Sequence, residues 1–384
     1  MKTFTSKERI KAAMNLQHPD RVPLMCQFSI GSMMIQLKPN PVEFWYDKNV
    51  FADGLIRLCE TFRFDGILVS LHGHSDKWKR DLLNVECVEE GNYKLTYPDR
   101  TEVHSWSDLP LVSFTQKKIM PAIEDIDVES DIPSEINYIP VSQNLYFDLN
   151  KDALFDIFDI IYAKVGDTLS IHGEITSPFD YFLDLVGYEN GLIALIIEPE
   201  KCKSIIEKFA NGIVDLAVQM CDQPIDAIKV SSPFAGMGFI SSEQYQEFVL
   251  PYEQRIIEAI RAKGIHVYIH TCGSINDRLE LMRESRTSGL ECLDPVPVGN
   301  VDLEDAFERI GNDLFIKGNI DSVNSLLYAD DAKAEADVKK IIEIGKAQGR
   351  GFILSTACSI APMVTKERLL MLSQLIDKYG QYSK

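Results

Sequence analysis

Short apolar runs recur along the chain, and segments with helical spacing lie between them. Eight runs stand out: Val22–Phe28, Gly66–Leu71, Thr168–Gly173, Ala227–Ser232, Ile265–Thr271, Gly289–Leu293, Asp313–Gly318 and Phe352–Thr356. Several are rich in Ile, Val and Leu without strict alternation, the pattern of parallel strands covered on both faces. Helical spacing is clearest over Ser241–Lys263, Ala332–Ala347 and Thr365–Tyr379. The first opens on a serine cap, and the other two end close to Gly349 and Gly380, as helix stops require. Eight strands alternating with helices predict an α/β fold, a (β/α)₈ TIM barrel, with residues 1–384 as one domain. A doubly wound open sheet is the alternative, but neither G-x-G-x-x-G nor G-x-x-x-x-G-K-(S/T) occurs. Between Ser75 and Asn150 the rhythm breaks. β-like pieces at Asn92–Tyr97 and Glu102–Trp106 sit among turn residues, and Pro- and acid-rich loops follow. Residues 75–150 therefore read as an insertion after strand two, near the mouth of the barrel.

Composition adds exclusions. A hydrophobic content of 45% and a charged content of 25% are ordinary globular values, so disordered and fibrous classes are out. The formal net charge of −19 repels phosphate backbones, and no basic patch offsets it, so no nucleic-acid partner is expected. No apolar run approaches a membrane span, so none is expected there either. The charged start, Met1 to Asp20, reads as a short helix rather than a secretion segment. Eight cysteines at irregular spacings then point to a cytoplasmic protein with reduced thiols. In that setting grouped cysteines are metal ligands or nucleophiles more often than bridges.

In a barrel the active site lies at the carboxyl ends of the strands. Those ends carry His72 and His74, His172-Gly173-Glu174, Ser231-Ser232, His270-Thr271-Cys272-Gly273, Glu291 and Asp294, Asn319 and Asp321, and Cys358. The sharpest group is His270, Cys272 and Cys358. Residues two apart on an extended chain face the same way, so His270 and Cys272 can share one ion. Cys358 ends another strand of the same barrel, which completes a Cys₂His set with a fourth position left for water or substrate. Thiolate donors favour Zn²⁺ over Mg²⁺ or Ca²⁺. The bland reading is a buried histidine with two cysteines acting as small apolar residues. Glu174, directly after a buried strand, needs a partner or a function. It is either a structural cap or an acid/base group or fourth metal ligand, with His172 beside it. Phe28, Met33, Met34, Phe44, Trp45, Phe179 and Tyr181 gather near the first and third strand ends. They suit a small apolar or aromatic substrate, or simply packing. Glu291 and Asp294 are candidates for a fourth metal ligand, whereas Cys292 alternates away from Glu291 and reads as core.

The motifs taken together resemble the uroporphyrinogen decarboxylase superfamily, and within it the zinc-dependent, corrinoid-linked methyltransferases. The resemblance runs from Arg9 and Asp20-Arg21-Val22-Pro23, through Ile240-Ser241 to Pro251-Tyr252, to His270-Thr271-Cys272-Gly273. It continues in Gly318-Asn319-Ile320-Asp321 and Leu354-Ser355-Thr356-Ala357-Cys358. The decarboxylases carry an arginine-rich segment after the first strand, which holds the porphyrinogen carboxylates. Here the segment Met25-Cys26-Gln27-Phe28-Ser29-Ile30-Gly31-Ser32-Met33-Met34 has no arginine.

The resemblance implies a TIM barrel enzyme with Zn²⁺ on His270, Cys272 and Cys358. It would move a methyl group between a corrinoid (methylcobalamin) held by a partner protein and a small-molecule substrate. That substrate is a thiol methylated at zinc, or, in the opposite direction, a methoxylated or otherwise methylated compound undergoing O-demethylation. Glu174 and His172 are then the acid/base candidates. Phe28, Met33, His72, Ser231 and Asn319 are the substrate-binding candidates. A porphyrinogen decarboxylase and a non-enzymatic corrinoid- or small-molecule-binding module are the competing readings.

Overall fold

The computed structural model describes residues 4–116, 120–142 and 145–382. In chain order the strands are β1 (Gly66–Val69), β2 (Asn84–Glu89), β3 (Asn92–Thr96), β4 (Arg100–His104), β5 (Leu111–Phe114), β6 (Tyr138–Ser142) and β7 (Leu145–Asp148). Then come β8 (Ser170–Thr176), β9 (Ala227–Ser231), β10 (His266–Thr271), β11 (Gly289–Cys292), β12 (Phe315–Ile320) and β13 (Phe352–Thr356). Among the described residues, seven form one parallel sheet in the order β1-β8-β9-β10-β11-β12-β13, with helices between successive strands. The sheet curls into an α/β barrel.

The expected first strand, Val22–Phe28, is not a regular strand. It makes isolated parallel bridges, Leu24 to Leu354 and Phe28 to Ile360. Its backbone nonetheless bonds both neighbours. Met25 N–H donates to Leu354 O (2.9 Å), and Asp65 N–H donates to Leu24 O (2.7 Å). The segment therefore sits between β13 and β1 and closes the ring. Two features interrupt its ladder. Pro23 has no N–H to give, and the Leu24 N–H is diverted to Asp65 Oδ2 at 2.8 Å. Asp65 is fully buried and also receives Arg9 (2.8 Å) and Arg21 (2.9 Å). That cluster locks the opening helix, Ser6–Met14, onto the barrel base, where Ile10, Ala13 and Met14 pack with Met25, Leu68, Ala227, Tyr268, Phe315 and Ile353.

The sequence between β1 and β8 folds as an antiparallel sheet, β2-β3-β4-β5, and a separate hairpin, β6-β7. The hairpin reaches the barrel mouth, as Tyr181 Oη donates to Tyr138 O at 2.6 Å. The helix expected over Ser241–Lys263 is two helices, Ser242–Phe248 and Leu250–Ala262. Pro251 explains the break: without an N–H it cannot continue the first helix, but it fits the opening turn of the second. Among the described residues no helix is long and apolar enough to cross a membrane.

Candidate metal centre and substrate cavity

Parallel register decides which side chains meet inside the barrel. His270 pairs with Ser231 and with Glu291, Glu174 pairs with Lys229, and Glu291 pairs with Lys317. One inner layer therefore collects Glu174, Lys229, His270, Glu291 and Lys317. Above it, at the ends of β10 and β13, His270, Cys272 and Cys358 offer three donor atoms within 4.8 Å of one another. His270 Nε2 lies 3.3 Å from Cys272 Sγ, and the two Sγ atoms are 3.6 Å apart. His270 Nδ1 donates to Glu291 Oε2 at 3.0 Å, which directs Nε2 at the thiols.

The electrostatics of this group are polarised. Burial opposes charge on His270, but the Cys272 and Cys358 sulfurs beside it outweigh that and raise the imidazole well above its ordinary range. Hydrogen bonds from Cys272 and Cys292 hold the Cys358 thiol well below its ordinary value. Burial alone would raise Glu291, yet Lys317, Lys229 and His270 hold it far below the usual carboxylate range. Lys317 donates to Glu291 Oε1, and Lys229 Nζ lies 2.9 Å from Glu174 Oε1 and 3.7 Å from Glu291 Oε2. Sequence reasoning missed both lysines. The signal was available: a lysine in the middle of an apolar run, Ala227–Ser231 or Phe315–Ile320, is a buried charge that needs a partner.

Neither Glu291 nor Asp294 joins the donors. Glu291 is engaged on the far side of the imidazole. Asp294 Oδ2 accepts from Gly273 N–H (2.7 Å) and from the Cys292 thiol (3.1 Å). Cys292 was expected in the core, facing away. It is buried, but its backbone turns to φ +85° and Leu293 follows at +54°, so the strand ends there and the thiol interacts with Cys272 and Cys358. Period-two alternation fails at this kink.

Beside these three candidate donors lies a cavity of about 480 Å³. Phe28, His72, Glu174 and Ser231 line it, as do Ser359, next to Cys358, and Ile139 to Ser142 of β6. The structure thus brings four of the expected site residues to one chamber. It does not bring the others. Met33 is 2% exposed and packs in the apolar core. Asn319 is buried, its Nδ2 donating to Leu293 O at 3.0 Å. His172 lies within β8, fully buried, between Ser170 Oγ and Tyr268 Oη at 3.1 Å each. Ser170 gives its proton to Asp226, so it accepts from His172 Nε2–H and leaves Nδ1 to accept from tyrosine. Burial lowers this imidazole to about 3. Both ring nitrogens are occupied, and the ring does not reach the cavity, so an acid/base role for His172 is set aside. Glu174 also lies inside β8 rather than after it.

Comparison with known proteins fits this architecture. A family model described as uroporphyrinogen decarboxylase (URO-D) matches residues 112–379. The chain belongs to that family. Its relatives include two proteins named methylcobamide:CoM methyltransferase MtbA. The one from Methanosarcina acetivorans is 21% identical over 388 aligned positions, covering 99% of both chains. A uroporphyrinogen decarboxylase of Gloeobacter violaceus is 26% identical over 55% of this chain and 60% of its own. Among solved structures, a methyltransferase from Methanosarcina mazei superposes with a TM-score of 0.71 at 19% identity, covering 98% of this chain and 99% of that one. The superposition establishes the shared barrel fold.

Proposed function

We propose that the protein is a zinc-dependent methyltransferase acting between a corrinoid protein and a small thiol or a methoxylated or methylated compound. The observation that carries this reading is the His270–Cys272–Cys358 donor group beside a chamber at the carboxyl ends of the strands. Ordinary tetrahedral zinc geometry separates nitrogen from sulfur by about 3.6 Å and sulfur from sulfur by about 3.8 Å. Two of the three separations here, 3.3 and 3.6 Å, are within a few tenths of an ångström of those values, and all three donors lie within 4.8 Å of one another, so the donor set fits the ion. The donor chemistry, two thiolates and an imidazole, selects the same metal. Zinc bound there would supply a Lewis acid that makes a thiol nucleophilic at neutral pH.

The chain's own residues have separate tasks. Glu291 holds the His270 ring and its tautomer, and Lys317 and Lys229 keep Glu291 ionised. Phe28, His72 and Ser231 form walls against which a substrate is positioned. Glu174, whose Oε2 has no hydrogen-bond partner, is the acid/base group that the chamber offers to a leaving oxygen in the demethylating direction. Reduced thiols at the site suit the cytoplasm. The methyltransferase names of full-length relatives support the corrinoid partner. The decarboxylase reading is weaker. A substrate ringed with carboxylates calls for guanidinium or ammonium partners, and among the described residues no lysine or arginine lines the chamber.

Metal analysis of the purified protein tests the proposal, together with methyl transfer from methylcobalamin to a thiol. About one zinc per chain is expected, with loss of both zinc and transfer in Cys272→Ser. A zinc-free protein whose Cys272→Ser variant keeps full activity would sink it.

A further inference from the structure

The chamber has a second chemical character, set by two carboxylates in its wall. Glu174 Oε2 and Asp180 Oδ1 are buried and have no hydrogen-bond partner. Asp180 is 4% exposed, and its other oxygen accepts from Ser177 Oγ. Burial pushes its carboxyl up to about 8, and the Glu253 carboxylate nearby acts in the same direction. Lys229 does not offset this rise: its Nζ is taken by Glu174 Oε1 (2.9 Å) and Gln27 Oε1 (2.7 Å). His72, the imidazole in the wall, is lowered to about 4 by burial and is neutral at neutral pH. Tyr188 and Phe234, with ring centroids 4.5 Å apart, add an aromatic wall.

These groups discriminate between substrates. An anionic group entering the chamber meets the Glu174 carboxylate and the Asp180 carboxyl, and among the described residues no lysine or arginine lines the chamber to receive it, since Lys229 is already committed to Glu174 Oε1 and Gln27. A neutral apolar group leaves both carboxylate oxygens unpaired in a buried site, which is unfavourable. A protonated amine brings several N–H donors and the positive charge that favours the ionised form of the buried Asp180 carboxyl, and it is attracted to aromatic faces.

We infer that the chamber takes a small molecule carrying a protonated amine, held by Glu174 and Asp180 beside the Tyr188–Phe234 wall. The inference rests on the chamber being the substrate site of the proposed transfer, and it names the substrate class for that site.

Two series of probes on the full chain test it, each read by titration calorimetry or ligand NMR. The first reads the chamber alone with benzylamine, benzyl alcohol and benzoate. The second reads chamber and metal together, on zinc-loaded protein, with cysteamine, 2-mercaptoethanol and 2-mercaptoethanesulfonate. The amine of each series should bind about tenfold more tightly than its neutral analogue, the size of one charge-assisted hydrogen bond. The anion should bind most weakly. Asp180→Asn and Glu174→Gln should each erode the amine preference. Benzyl alcohol or benzoate binding as tightly as benzylamine overturns the inference, whatever the thiols do. A preference for benzylamine without any thiol binding supports the inference and instead sinks the thiol–metal reading. The order of affinities in the unaltered protein decides the matter even if a variant fails to fold.

Discussion

The floor of the barrel and the layer directly above it are built by the same strands. β9 supplies Ala227 below and Lys229 above, β10 supplies Tyr268 and then His270, and β12 supplies Phe315 and then Lys317. Each pair is two residues apart and so shares the inward face. The floor is apolar and sealed by the helix Ser6–Met14. The upper layer buries Lys229 and Lys317 at 0% exposure against Glu174 and Glu291. Burying apolar surface stabilises the fold. Buried ion pairs add little net stability, because desolvation offsets their attraction. Here the pairs orient groups instead: the floor holds the barrel together, and the layer above holds His270 toward Cys272 and Cys358.

The sharpest way to break this comparison is to damage each layer once. Phe315→Ala, in the floor, should lower unfolding stability by about 3–5 kcal/mol while the folded fraction keeps its metal affinity. Lys229→Met should cost a similar ~3–5 kcal/mol, because Glu174 is left buried without its cation. Unlike the floor variant, it should also weaken metal binding through Glu291. Denaturant titration and zinc affinity measured on both variants decide it; equal zinc affinities would erase the distinction.

A milder probe keeps the fold and releases the imidazole. Glu291→Gln should reduce zinc affinity by about 10- to 100-fold, as removing a carboxylate behind a ligating histidine does. Competition against a chromophoric chelator reads this directly.

The pH dependence of stability comes next. His172 is lowered to about 3, His72 to about 4 and His74 to about 3, in each case chiefly by burial. The unfolded chain titrates them near 6.5. Below that pH the unfolded state binds protons that the folded state refuses, so stability falls as pH drops. The loss begins below about pH 6.5 and approaches about 1.4 kcal/mol per pH unit per histidine. For each ring it levels off only below its folded-state value. Asp180, raised to about 8, works in the opposite sense and offsets about one histidine's share; urea midpoints between pH 7 and 4.5 measure the remainder, and stability that rises as pH falls would show that these rings are not buried neutral.

The smallest expected effect concerns the boundary between the layers. Tyr268→Phe removes the hydroxyl that donates to His172 Nδ1. It should cost about 1–2 kcal/mol, the penalty of a buried acceptor left unpaired, with zinc affinity unchanged.

Much of this arrangement was legible along the chain. Seven of the eight apolar runs became parallel strands, and His270, Cys272 and Cys358 converge as their strand-end positions required. What escaped was set by exceptions to local pattern. Val22–Phe28 lost its regular ladder to Pro23 and to a side chain, Asp65, 41 positions beyond Leu24. The turn at Cys292 brought a residue expected in the core to the donor group. His172 and Glu174 share one strand and face, yet one is locked below the chamber and the other lines it. Asp180 carries no local signal beyond its place in the first turn of a helix opened by Ser177.

The sequence by itself therefore determined the repeating strand–helix order, the barrel that such a repeat closes into, and the residue types able to hold a soft metal. Those depend on periodicity and chemistry, which are local. Only the tertiary structure decided the partners. Parallel register set Lys317 and Lys229 around Glu291, and Glu291 behind His270. The curl of the sheet and β6 enclosed a chamber whose carboxylates, Glu174 and Asp180, each keep an oxygen unpaired. Burial decides whether a charged residue is a surface ornament or part of a site, and burial is a property of the assembled barrel.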